Sequence, residues 1–399
     1  MSSESYDVAV VGAGPAGSTA ARVTAEKGFK TILIERRRQV GVPIQCGEYL
    51  PTPREMSDLL SDSPRAARLV DVPSRLIDNR CEQLRLFSPF AKAFEFKLQS
   101  NIIDRARFDQ YLANKALDAG AEHRLETTVV HRTKTNHLTL RCRSGMDEIS
   151  AKVVIGADGP RSLISKSIGN RYENEGRDLC PSLNFVMEGI DCDPTTAEMH
   201  FGRQIAPGGY SWIIPKGADR ANVGFGMRWP FGFPDSTLKQ YLYRFIRQNP
   251  VLAPRASRAR VTSRVGATIP VGGPVDRTFC DNVVLVGDAA GHVMASNGGG
   301  IPTALAGGEI AGEAIESHLT EGAHLSCYEE NWRREFGTEL YTALRILRIA
   351  DQVMQSDRIT DQCMRLAGSR YLKHLVRCRL PFPVDLASKT LVKVLAYME

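Results

Sequence analysis

The segment "YDVAVVGAGPAGSTAARVTAEKGFKTILIE", residues 6–35, constrains the fold more than any other part of the chain. Tyr6 to Val11 is a β-branched apolar run, "GAGPAG" follows at once, and an alanine-rich helical stretch closes at Gly28. "KTILIE" then reads as a second short strand ending in the acid Glu35. Strand, glycine turn, helix and strand form the layout of a dinucleotide-binding unit. Gly12 allows the tight turn, Gly14 lets backbone approach a pyrophosphate, and Gly17 lets the helix pack closely. Glu35, eighteen residues past Gly17, is placed to accept a ribose hydroxyl proton. An acid there disfavours a 2′-phosphate, which points to FAD or NAD rather than NADP. A glycine turn in an unrelated α/β protein would leave the flanking strands and Glu35 to be explained separately.

Two later segments carry the same logic. Residues 153–162 read "VVIGADGPRS" and residues 283–291 read "VVLVGDAAG". Each is an all-apolar run, as buried parallel strands require, and each ends in an acid where a ligand crevice opens, at Asp158 and Asp288. After Asp288 comes "GHVMASNGGGIPTALAGGEIAGEAIESHL". Gly298, Gly299 and Gly300 have no side chains to hold backbone away from a flat ring, and Pro302 suits the first turn of a helix. The positive N-terminus of that helix is expected to face the edge of the ring that turns negative on reduction.

Nine cysteines are scattered without any CxxC, so no metal site is expected. A net charge of +6 over 399 residues does not argue for nucleic acid. No apolar stretch approaches the roughly 20 residues of a membrane span, and the N-terminus lacks the layout of a signal peptide. A cytoplasmic protein is the expectation.

The spaced trio of GxGxxG, "DG" and, 130 residues on, "GD" resembles the FAD-dependent proteins with the para-hydroxybenzoate hydroxylase fold. The resemblance implies FAD and an α/β (α+β) fold, a Rossmann-like FAD domain with an inserted antiparallel substrate sheet. It gives Asp288 to the ribityl chain and puts the Asp158 segment near the pyrophosphate. It also assigns the family's arginine to Arg105 of "DRARFDQYL", supported by Asp109. Gly287, Gly299, Gly300, Ala16, Arg36, Cys46, Gly47, Val129 and Ile301 are carried to the cofactor on the same ground. The FAD domain is then discontinuous, residues 1–75, 101–175 and 276–325. Residues 76–100 and 176–275 form the substrate domain, and 326–399 a C-terminal helical region with apolar spacing at Leu340, Leu344, Leu347 and Met354. A second GxGxxG is absent, so electrons are expected from outside, from ferredoxin, NAD(P)H or another reductant.

Within the inserted sheet lies "APGGYSWIIPKG", residues 206–217. A strand's period of two puts Tyr210, Trp212 and Ile214 on one face, as an apolar wall or as an ordinary core face. With "CGEYL" and "NGGGIPTAL", this stretch makes the whole chain resemble the geranylgeranyl reductase family. That family's P-x-x-Y-x-W-x-F-P is met by Pro207, Tyr210, Trp212 and Pro215, with Ile214 in place of the phenylalanine. The resemblance implies saturation of isolated C=C bonds in prenyl chains of a lipid or quinone-like substrate. Hydride would come from reduced flavin and a proton from a group close by. Thiols keep their proton at neutral pH, and the family places the Cys46 segment beside the ring, so Cys46 is the candidate either to donate the proton or to position the alkene. Glu48 reads as a proton relay or, more simply, as an acid at a helix start, the second being the preferred reading. The tryptophan-rich halogenase motif is the nearest rival, and a monooxygenase or halogenase of the same fold is the alternative activity. Finally, residues 365–393 hold seven Lys or Arg and one acid among apolar residues. That composition suits a peripheral contact with an anionic membrane face or a helix packed on its own protein.

Overall fold

A computed structural model describes residues 4–172 and 174–380. Its first sheet has eight strands. Val283–Leu285, Gly145–Gly156, Glu4–Val11, Thr31–Ile34 and Glu122–Arg124 lie side by side and parallel, with Phe279–Cys280 antiparallel at one edge. His137–Cys142 and Thr128–Arg132 continue antiparallel from the far end of Gly145–Gly156. The central strands are covered on both faces, which is why their residues are uniformly apolar and not alternating: Val8, Val10, Ile32, Leu33, Val153, Ile155 and Val284 are all fully buried.

Register decides where the crevice lies. Val11 pairs with Ile34 and with Gly156, and Gly156 pairs with Leu285. Four strands therefore end at one level, and the residues that follow them, Gly12, Glu35, Asp158 and Gly287–Asp288, emerge along one edge.

The second sheet also has eight strands, in the spatial order Arg260–Pro270, Leu179–Glu188, Arg220–Gly226, Tyr210–Pro215, Thr196–His200, Ile77–Phe87, Ala93–Ile103 and Tyr49–Pro51. All neighbours are antiparallel except Thr196–His200 beside Ile77–Phe87, a parallel pairing that joins the two inserted stretches into one sheet. One face is covered by the helix Leu238–Gln248, which the sequence reading passed over. Its start is fixed by a capping box of Thr237 and Gln240, and Tyr241, Leu242, Phe245 and Ile246 turn inward with Ile213 of the sheet. The opposite face carries Trp212 and Ile214, and over it lies the helix Asp357–Val376, with Met364 and Leu372 packed inward.

Candidate active site

The cradle is built from backbone. Gly12 has φ +106°, and a Cβ there would stand 2.3 Å from the Ala157 carbonyl oxygen. A Cβ on Gly17 would stand 1.9 Å from the Gly12 carbonyl oxygen, so turn and helix touch main chain to main chain. Beside Gly14, by contrast, a Cβ would meet nothing within 4 Å. The helix Pro15–Glu26 starts there without a side-chain cap, leaving its first amides turned to open space. Glu35 is buried beside this start. Its two oxygens accept from the Ala13 and Arg37 amides at 3.0 and 2.9 Å. Ala16 is buried next to Gly287, Arg36 is exposed, and the Val129 side chain belongs to the core of the first sheet.

Asp158 holds the start of the helix Leu163–Ser167. One carboxylate oxygen accepts from Ser162, and the other accepts the Leu163 amide at 2.7 Å. Asp288 is different, with no hydrogen-bond partner among the described residues. Burial pushes its pKa up to about 6, against the pull of Arg105. Arg105 itself is clasped by Asp109 through two bonds of 3.0 and 2.9 Å. Burial works against the Arg105 charge, but Asp109 and the Cys46 sulfur together hold its pKa above the ordinary value. Gly299 and Gly300 lead into Ile301–Glu321, a 21-residue helix with Pro302 in its first turn and no side-chain cap. Its N-terminus and that of Pro15–Glu26 are thus both open to an anionic or electron-rich group.

Cys46 stands on the turn that links the two sheets. Its sulfur accepts the Glu48 amide at 3.1 Å. Glu48 is not at a helix start, as the sequence suggested. It precedes the strand Tyr49–Pro51, adopts φ +67°, and is fully buried. What holds it there lies 168 residues away: Lys216 Nζ meets Glu48 Oε2 at 2.6 Å and Asp78 at 3.0 Å. The other Glu48 oxygen accepts the Arg105 amide at 3.3 Å. Asn222 donates to the Cys46 carbonyl at 3.1 Å and accepts from Trp212 Nε1 at 2.9 Å. The turn is thereby pressed on the wall, since a Cβ on Gly47 would stand 3.1 Å from Ile214 Cδ1.

Tyr210 packs beside Trp212 with ring centroids 6.1 Å apart. Burial raises its pKa, so the phenol keeps its proton and donates it to the Asn297 carbonyl at 2.5 Å. Asn297 also accepts the Gly299 amide at 2.8 Å and donates to the Val376 carbonyl at 3.0 Å. Lys216, Asn222 and Asn297 escaped the sequence reading. "PKG" and "SNGGG" sat in quoted motifs, but nothing in their spacing reveals a partner across two sheets.

The fit to a flavin nucleotide rests on three features: open space at Gly14, two uncapped helix starts and a half-buried carboxylate at Asp288 without a hydrogen-bond partner among the described residues. Fold and cradle together define an FAD-dependent oxidoreductase of the para-hydroxybenzoate hydroxylase type. A flavin-dependent brominase superposes with a TM-score of 0.72 over 99% of this chain and 100% of its own, at 17% identity, a likeness of fold. A geranylgeranyl bacteriochlorophyll reductase-like protein from Thermoplasma acidophilum superposes with a TM-score of 0.79 at 27% identity, covering 91% of both chains. Residues 178–269 match the geranylgeranyl reductase catalytic domain, and residues 2–51 match the Thi4 family. The digeranylgeranylglycerophospholipid reductase 2 of Methanothermobacter thermautotrophicus is 34% identical over 94% of this chain and 95% of its own. Reductase 1 of Methanopyrus kandleri is 36% identical over 83% and 87%. The chain belongs to the geranylgeranyl reductase family.

Proposed function

We propose that the protein saturates isolated C=C bonds in the geranylgeranyl chains of a glycerophospholipid. The observation that carries this reading is the Cys46–Gly47 turn pressed against Trp212 and Ile214, a reactive side chain at an apolar wall suited to an alkene with no polar handle. Bound FAD, once reduced by an external donor, supplies the hydride. The chain's own residues do the rest: the wall orients the alkene and excludes water, and Cys46 delivers the proton. The Glu48 amide holds the Cys46 sulfur. Gly12, Gly14, Ala16, Gly17, Glu35, Arg36, Arg105, Val129, Asp158, Gly287, Asp288, Gly299, Gly300 and Ile301 are proposed to hold FAD, with Cys46 and Gly47 along the ring. The segregation of the two sheets supports a division into FAD and substrate domains.

The test is Cys46→Ala protein loaded with FAD, reduced without oxygen and given digeranylgeranylglycerol phosphate. Turnover should fall at least 100-fold with flavin content unchanged, the scale of a lost general acid. Wild-type turnover in the variant would remove Cys46 from the chemistry. A wild-type protein that reduces no prenyl chain would remove the reading.

Peripheral membrane contact is the finer part of the proposal. Among the described residues, no helix is long and apolar enough to cross a membrane. Leu366 is 87% exposed and Tyr371 46%, beside exposed Arg365 and Arg370, and these support contact with anionic lipid. Leu372, Leu375 and Val376, counted with them in sequence, pack on the protein's own wall, and residues 381–393 lie outside the described residues. Sedimentation with anionic but not neutral vesicles, weakened in Leu366→Glu, is expected.

A further inference from the structure

A cavity of 630 Å³ opens where the loop after Thr196–His200 meets the end of the helix Thr338–Val353. Arg177, Arg203, Asn174, Asp351, Gln352 and Gln355 line it. Asp351, 1% exposed, is the centre of an arginine cluster. One of its oxygens takes Arg228, the other takes Arg177 at 3.1 and 3.2 Å, and Arg348 stands 3.8 Å away. Arg348 also reaches Asp178 at 3.1 Å. Among the described residues the guanidinium of Arg203 finds no carboxylate and leans over the Phe233 ring, while its amide donates to Asp357. Among the described residues of the cluster, four guanidinium groups thus stand with the three carboxylates of Asp178, Asp351 and Asp357, and two of the four, Arg177 and Arg203, line the cavity.

The cluster is short of acceptors as well as of negative charge. Nη1 of Arg228, a residue 1% exposed, and Nη1 of Arg348 are buried without a hydrogen-bond partner among the described residues; both arginines belong to the cluster around Asp351, while Arg177 and Arg203 are the guanidinium groups that line the cavity itself. Orphaned donors on buried arginines are costly, and a tetrahedral oxyanion, with several acceptors and a compact charge, is what such a fork recognises best.

The cavity also lies near the apolar wall. Phe201, two residues before Arg203, packs on Tyr210 with centroids 6.1 Å apart. The helix Asp357–Val376 starts against the Arg203 amide and ends at Asn297, beside the glycine loop. Its inward residues Met364 and Leu372 share one apolar cluster with Trp212 and Ile214. At 1.5 Å per residue it spans at most about 30 Å, and a break at Gly368 shortens it.

We propose that this arginine cavity seats the phosphate of the lipid substrate, while the prenyl chain runs along the Asp357–Val376 helix to the Cys46 turn. The proposal rests on the phospholipid reading above. It fixes which end of the substrate stays in polar surroundings and how far the reacting double bond lies from the head.

The experiment compares digeranylgeranylglycerol with and without its phosphate, on FAD-loaded wild type and on Arg203→Ala and Arg203→Glu. Arg203→Glu should raise KM for the phosphorylated lipid at least tenfold with kcat within twofold, and Arg203→Ala less. Kinetics with the unphosphorylated lipid should not move. Inorganic phosphate should compete with the phosphorylated lipid in wild type and lose that effect in Arg203→Glu. An unchanged KM, or an equal rise for both lipids, overturns the head-group site. Phosphate that raises the wild-type melting temperature without competing marks a site for free phosphate and overturns it too. If wild type reduces neither lipid, the reductase reading fails, and a phosphate-dependent rise in melting temperature absent from Arg203→Glu still supports the anion cavity.

Discussion

The two ends of the active site are made of different materials. The cradle consists of glycines, helix starts and strand ends, so its geometry is a property of the main chain of the first sheet and its helices. The Cys46 turn and its wall consist of side chains, and their geometry depends on Lys216 and Asn222 of the second sheet gripping the turn that joins it to the first. A main-chain site fails when a Cβ is added, whereas a side-chain site fails when a partner is taken away.

The sharpest way to break that contrast lies within the cradle. Gly17→Val puts carbon where a main-chain oxygen stands 1.9 Å from the Cβ position, and no soluble FAD-bearing protein is expected. Gly14→Ala, with nothing within 4 Å, should change stability by under about 1 kcal/mol and yet lower FAD affinity at least tenfold. Thermal melting and the flavin-to-protein absorbance ratio read the two effects separately. Equal damage from both substitutions would mean that the open space at Gly14 is not where the nucleotide lies.

On the side-chain end, Lys216→Met leaves the fully buried Glu48 carboxylate without its 2.6 Å partner. Breaking such a pair costs about 3–5 kcal/mol, visible as a lower urea midpoint. Adding Glu48→Gln should recover a large part of that loss, because it removes the stranded charge. Additive losses would show that the two residues act separately.

A smaller effect comes from His292, behind the glycine loop. The ring is fully buried against Trp332 and Phe336, both its nitrogens lack partners, and burial lowers its pKa to about 3. Between pH 6.5 and 3 the unfolded chain binds a proton at this histidine that the folded chain refuses. Stability is therefore fully present above pH 6.5 and falls on acidification, by about 3 kcal/mol at pH 4. His292→Leu should flatten that part of the denaturation-versus-pH curve. An identical slope in the variant would place the acid sensitivity elsewhere.

The same division explains what could be read from the sequence. Gly12, Gly14, Gly17, Asp158 and Asp288 announce themselves because parallel strands, tight turns and helix starts are dictated by neighbours in the chain. The FAD class, the two sheets and the Tyr210–Trp212–Ile214 face follow from that local grammar. Glu48 was misread because its neighbours suggest a helix start, while its true partner sits just past the end of a strand, 168 residues later. The helix Leu238–Gln248 was passed over because a region of alternating strands surrounds it. The arginine cavity draws on four separate segments and has no signature of its own.

One detail of the turn reaches beyond this molecule. A backbone at φ +67° ordinarily invites glycine, yet at position 48 that exchange would relieve the main chain and leave the Lys216 ammonium with Asp78 alone. Drift at either site alone is a loss, so the two positions should be inherited as a unit. Among descendants of this chain, a change at 216 predicts a change at 48, and the pair marks a lineage more faithfully than either residue does.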